Sequence, residues 1–156
     1  MNNQEIDLTL GKRLQEYWRA SEVPTLCAPS SLNDLRHFEE ANGILLPKDF
    51  RGYLHCVNGF SQSESYQDDR GFNFWPLEKL SRLADYDGAK YHFLDDAGYF
   101  IFCDYLDFCW AYAVSLNSPG SKVVLIGTKD GRPKSVATNF SEFVDLYLND
   151  DERLYA

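Results

Sequence analysis

The chain has 156 residues, and its 15 basic against 24 acidic side chains give a formal charge of −9. That balance excludes a surface built to neutralise phosphates, so no nucleic-acid partner is expected, and it suits steering toward a basic partner. No apolar run approaches the ~18–20 residues that cross a bilayer, and the opening MNNQEIDLTLGKRL has neither a basic n-region nor an apolar h-region. No membrane association and a cytoplasmic location are the expectations. By size, residues 1–156 form a single domain able to bury roughly 70% of its unfolded surface.

Residues 6–20 place Leu10, Leu14, Tyr17 and Trp18 at helical spacing. Pro24 and Pro29 then mark an irregular connection. Ser31, with Asp34 three residues on, opens a second helix that carries Leu35 and Phe38. That helix is expected to end at Asn42-Gly43, where glycine takes a left-handed conformation freely. After the elbow Ile44-Leu45-Leu46, Pro47 suits a first helical position and Asp49 the positive end of the dipole. This third helix puts Phe50, Tyr53, Leu54 and Val57 on one stripe and stops at Asn58-Gly59. The pair forms a helical corner that must pack on something.

From 61 to 71 the chain turns polar, SQSESYQDDRG, and reads as a presented loop. Residues 72–75 alternate as a short strand, and Pro76 opens a short helix over Leu77, Leu80 and Leu83. Residues 84–98 are acidic and turn-rich around Tyr91 and Phe93. Residues 99–104 and 108–116 form an antiparallel pair, and 117–120 a turn. The apolar run 122–127 reads as a central strand, with Asp130-Gly131 turning into a return strand at 135–138. Asn139 caps a last helix with Glu142 in the reciprocal position, turning Phe140, Phe143, Val144 and Tyr147 inward.

Helices, then strands, then a closing helix give an α+β fold: a twisted antiparallel sheet, with a mixed one left open, and helices on one face. The pattern Phe38-Glu39, Gly43, Leu46-Pro47, Asp49-Phe50, Leu54 and Asn58-Gly59 resembles the signature of the Smi1/Knr4 (SUKH) superfamily. The resemblance independently implies the same arrangement. Its residues are helix punctuation and core, so it speaks to fold more than to function.

The chemistry-bearing residues form no catalytic or metal-binding pattern. His37, His55 and His92 are scattered, and no HExxH, Cys/His cluster or G-x-S-x-G elbow occurs. Gly120-Ser121-Lys122 and Gly127-Thr128-Lys129 lack Walker spacing and read as turns. Glu39 reads as architecture, receiving N–H groups near the Pro47 helix start. Cys27, Cys56, Cys103 and Cys109 show no CxxC pair and read as buried thiols, with Cys103 and Cys109 able to face each other across a hairpin. The aromatic set Tyr99, Phe100, Phe102, Phe108, Trp110 and Tyr112 reads as sheet core, a ligand pocket being the alternative. No catalytic residue, metal or cofactor is therefore expected.

Surface remains. Glu64, Tyr66, Asp68 and Asp69 form one acidic-aromatic loop, Asp95 and Asp96 a second tip, and Asp104, Tyr105 and Asp107 a third. Carboxylates beside rigid tyrosines suit a basic protein partner, although loops like these also simply keep a protein soluble. The resemblance implies a non-enzymatic immunity protein that neutralises a toxin, often a nuclease, of a bacterial polymorphic toxin system. The alternatives are an intracellular scaffold, as in the fungal branch whose long disordered extensions have no counterpart in these 156 residues, and a small-ligand module or enzyme using the aromatic sheet.

Overall fold

A computed structural model describes residues 6–21, 24–63, 66–86, 98–116, 120–129 and 131–156. Three helices come first. Helix α1 (Thr9–Ser21) buries Leu10, Leu14 and Trp18. Helix α2 (Leu32–Asn42) opens with a reciprocal cap: Ser31 Oγ accepts the Asp34 N–H at 3.0 Å and Asp34 Oδ2 accepts the Ser31 N–H at 3.2 Å. It closes on Gly43 at φ 65°. Helix α3 (Lys48–Cys56) buries Phe50, Tyr53 and Leu54, with Pro47 as its N-cap, one position earlier than expected.

Asn58 and Gly59 are both left-handed, at φ 48° and 68°. They swing the chain so that Phe60 bridges Leu26 and its N–H reaches the Phe74 carbonyl at 2.8 Å. A Cβ on Gly59 would lie 2.7 Å from that carbonyl oxygen, so the close approach requires glycine. The Asn58 side chain ties three segments, donating to the Ala28 carbonyl and accepting the Leu77 N–H.

The sheet is wholly antiparallel and open. It comprises β1 (Phe72–Phe74), β2 (Ser81–Arg82), β3 (Tyr99–Tyr105), β4 (Trp110–Ser115), β5 (Val123–Ile126) and β6 (Lys134–Ala137). The order is β1-β3-β4-β5-β6, with β2 pairing the other half of β3. The run after Pro76 is therefore divided. A single 3-10 turn (Leu77–Lys79) precedes β2, and helical residues 83–86 follow it. Strand β5 lies inside the sheet as expected, while β6 is an edge. A register shift opposite Val123 and Val124 and the exposed Lys134 blunt that edge.

Helix α4 (Phe140–Leu148) packs back on the sheet. Asn139 caps it by accepting the Glu142 N–H at 2.8 Å, but Glu142 accepts the Thr138 N–H at 2.7 Å, one residue before the expected partner. A 3-10 turn (Glu152–Leu154) then buries Leu154.

Strand alternation sorts the core. Phe100, Phe102, Tyr112, Val123 and Leu125 face the helices, while Tyr99, Ile101, Ala111, Ala113, Val124 and Ile126 face the other way under Trp75 and Leu83. Of the aromatic set expected as sheet core, Phe100, Phe102 and Tyr112 are buried on the helix side with Trp110 half-buried against them, whereas Tyr99 lies on the opposite face and Phe108 is a half-buried turn residue packed against that face. On the helix side Phe50 lies 6.2 Å from Phe102 and 4.9 Å from Phe140, and Trp18 lies 5.0 Å from Phe74, all edge to face. The corner of α2 and α3 rests on α1 and this aromatic layer.

Glu39 is 4% exposed. It accepts the Leu46 N–H at 2.8 Å, just ahead of the Pro47 cap, and also pairs with Arg51, a buried partner its sequence neighbourhood did not announce.

Candidate functional site

Among the described residues, no three His, Cys, Asp or Glu side chains gather to hold a metal. His55 turns its Nδ1 to the Ser30 carbonyl at 2.8 Å. Strands β3 and β4 pair Cys103 with Tyr112, so Cys103 does not oppose Cys109. All four thiols are free; only Cys103 is buried, Cys27 and Cys56 are partly so, and Cys109 is exposed, which corrects the expectation of four buried thiols. Burial pushes the Cys103 thiol well above its ordinary pKa. An open groove of about 460 Å³ lies between α2 and the 77–80 segment, edged by His37, Phe38 and Glu78. Its Asn58 already serves the backbone on both sides.

Two of the carboxylates expected on loop surfaces are internal. Asp68 is 6% exposed and accepts hydrogen bonds from the Tyr147 hydroxyl and from the N–H groups of Phe72 and Arg70. Asp104 is 4% exposed. Its Oδ2 accepts from Asn73 at 2.9 Å and Trp75 Nε1 at 2.7 Å, and its Oδ1 faces the Phe108 N–H. Both sit where polar local sequence suggested solvent, because aromatic and amide donors from distant strands and helices converge on them. Their lone pairs hold β1 to its neighbours and are not offered outward. Glu64, Asp95 and Asp96 lie outside the described residues.

The other predicted residues share one end of the sheet. Tyr66 and Asp107, 41 positions apart, meet as the Tyr66 hydroxyl donates to Asp107 Oδ1 at 3.0 Å, and Gln67 Nε2 donates to the same oxygen at 3.1 Å. That bond, foremost, raises the Tyr66 pKa. Asp69 is exposed. Tyr105 is half-buried and stacks on Trp110 at 4.5 Å, with Tyr155 edge-on at 5.5 Å.

Several side chains not singled out in the sequence complete this end. Arg70 sits over the Tyr147 ring at 4.6 Å, donates to the Tyr147 carbonyl at 2.8 Å and pairs with Asp150 at 2.7 Å. Burial alone would lower the Arg70 pKa, but Asp150 raises it. Tyr155 donates to the same Asp150 oxygen at 2.5 Å, tying the C-terminal turn to the loop. Leu106, 46% exposed, tops the β3–β4 turn. A leucine between the acids of Asp104-Tyr105-Leu106-Asp107 was the available signal, since apolar residues rarely occupy a turn tip without cause.

The result is a surface of aromatic area with exposed carboxylates at Asp69, Asp107 and Asp150, suited to desolvating against lysine and arginine. Among the described residues, no helix is long and apolar enough to cross a membrane. A family model described as SMI1/KNR4 family (SUKH-1) matches residues 29–146. No curated protein matches the chain.

Proposed function

The chain belongs to the SMI1/KNR4 (SUKH-1) family, and from that premise we propose that it is a non-enzymatic immunity protein neutralising a basic toxin, often a nuclease, in the cytoplasm of a bacterial producer. The observation that carries this reading is the meeting of Tyr66, Leu106 and Asp107 in one exposed acidic-aromatic end. Carboxylates there would cover the basic substrate cleft of a toxin and exclude nucleic acid, with tyrosines supplying rigid contact area. Glu64, Asp95 and Asp96, outside the described residues, remain further acidic candidates for the partner surface by their sequence alone. The formal charge of −9 assists encounter with such a partner.

Co-expression tests it. The toxin-like product of the adjacent gene should arrest growth alone and be tolerated when this chain is made beside it. Growth arrest that persists despite a soluble chain, or an adjacent product with no toxicity, would overturn the assignment.

A further inference from the structure

Three consecutive non-glycine residues, Leu106, Asp107 and Phe108, have φ of 48°, 53° and 70°. L-residues avoid this left-handed region, and glycine or asparagine usually supplies it. Here neither is used, and the conformation is held from several sides. The Leu106 N–H donates to the Gly71 carbonyl at 2.9 Å, the Phe108 N–H to Asp104 at 3.2 Å, and the Cys109 N–H to the Tyr105 carbonyl at 2.9 Å. Tyr66 and Gln67 clamp Asp107 from the facing loop.

What this scaffolding presents is specific. Leu106 leans on Gly71, where an added Cβ would come 2.6 Å from Leu106 Cδ2, yet 46% of the leucine stays exposed. Both donors to Asp107 use Oδ1, so among the described residues Oδ2 carries no hydrogen bond. Backbone strain persists where surrounding structure over-determines it, and such places concentrate at functional sites. Among the described residues, the other exposed leucines, Leu32 and Leu45, sit at 56% and 67% without a left-handed backbone.

We propose that the 106–108 turn is a preformed knob: Leu106 enters an apolar pocket of a basic protein partner, and Asp107 pairs with an arginine or lysine at the pocket's edge. This rests on the reading of the chain as a protein binder. Rigidity lowers the ordering entropy lost on docking, so a small exposed tip can act as an anchor. A second copy is disfavoured as occupant, because Asp69, Asp107 and Asp150 would face their own like charges. The arrangement has a signature: residues selected for binding are ones whose removal relieves strain.

A photo-crosslinking amino acid placed at 106, and in separate chains at 32 and 45, is installed in the native producing cells. The expected result is a cross-link at 106 to one lysine- and arginine-rich protein. With that protein purified as the probe, Leu106→Ala and Asp107→Gly should each weaken Kd at least about tenfold, while the thermal midpoint of Asp107→Gly stays equal or rises. Cross-links at 32 or 45 but not 106 would overturn the knob and leave the binder reading standing. A cross-linked second copy, or unchanged Kd in both variants, would overturn it as well. No cross-link at any position would overturn both.

Discussion

Replacing Arg51 by methionine should be among the most damaging single changes in the chain. Arg51 and Glu39 are each 4% exposed and paired. Removing the guanidinium leaves a carboxylate shut in the α2–α3 corner, where the Leu46 N–H still donates at 2.8 Å. Breaking such a pair from one side destabilises by about 3–5 kcal/mol, because an uncompensated charge stays buried. In a chain of this length each kcal/mol moves the midpoint by roughly 2–4 °C, giving a fall of about 6–20 °C. The double variant Glu39→Gln/Arg51→Met removes both charges and keeps an acceptor for Leu46, so it should recover much of the loss. Urea unfolding with tryptophan fluorescence measures all three proteins. An Arg51→Met loss below about 1 kcal/mol, or a double variant no better than the single, would refute the reasoning.

Other consequences follow from the internal carboxylates and thiols. Asp68→Ala strands the Tyr147 hydroxyl and two backbone donors, and should lose about 2–5 kcal/mol in urea, whereas Asp69→Ala, on the surface, should lose under about 0.5 kcal/mol. The Asp150 carboxyl is held below its ordinary 3.8, first by the Tyr155 hydroxyl and then by Arg70. Its contribution is therefore complete above that value and fades as the pH falls below it, so wild type and Asp150→Asn should differ at pH 6 and converge near pH 2. In native protein a thiol reagent should label Cys109 promptly and leave Cys103 unreacted until unfolding; early modification of Cys103 by mass spectrometry would contradict its burial.

Much of the fold was legible because its determinants are local. Capping boxes, left-handed glycines and inward stripes depend on residues a few positions apart, and Ser31, Gly43 and Asn139 behave as their neighbours dictate. The shift of Pro47 to the cap and of Glu142 to Thr138 are one-residue slips within the same physics. The surface was harder to read. Asp68 meets Tyr147 across 79 positions, and Asp104 meets Asn73 across 31, so no window around either acid separates a buried acceptor from a solvated one. Arg51 hid likewise, since its neighbours Phe50 and Tyr53 explain the helix stripe without it. Leu106 stands among the acids of 104–107, so the charge of that stretch masks the one apolar side chain its tip presents. The residues that spell out the family, Glu39 and Pro47 among them, lie in the corner and its buried pair, and the exposed carboxylates lie elsewhere.

The docking surface proposed for a basic partner is the end formed by Tyr66, Asp69, Leu106 and Asp107. Calorimetric titration of the co-expressed toxin into Asp69→Lys/Asp107→Lys, beside a control Glu16→Lys/Glu40→Lys that changes net charge equally at exposed helical positions, tests it most directly. The Asp69→Lys/Asp107→Lys protein should lose binding and neutralisation while the control keeps both, with wild-type affinity falling as salt rises. Equal binding by both variants, or a control impaired as severely as the site variant, would contradict it.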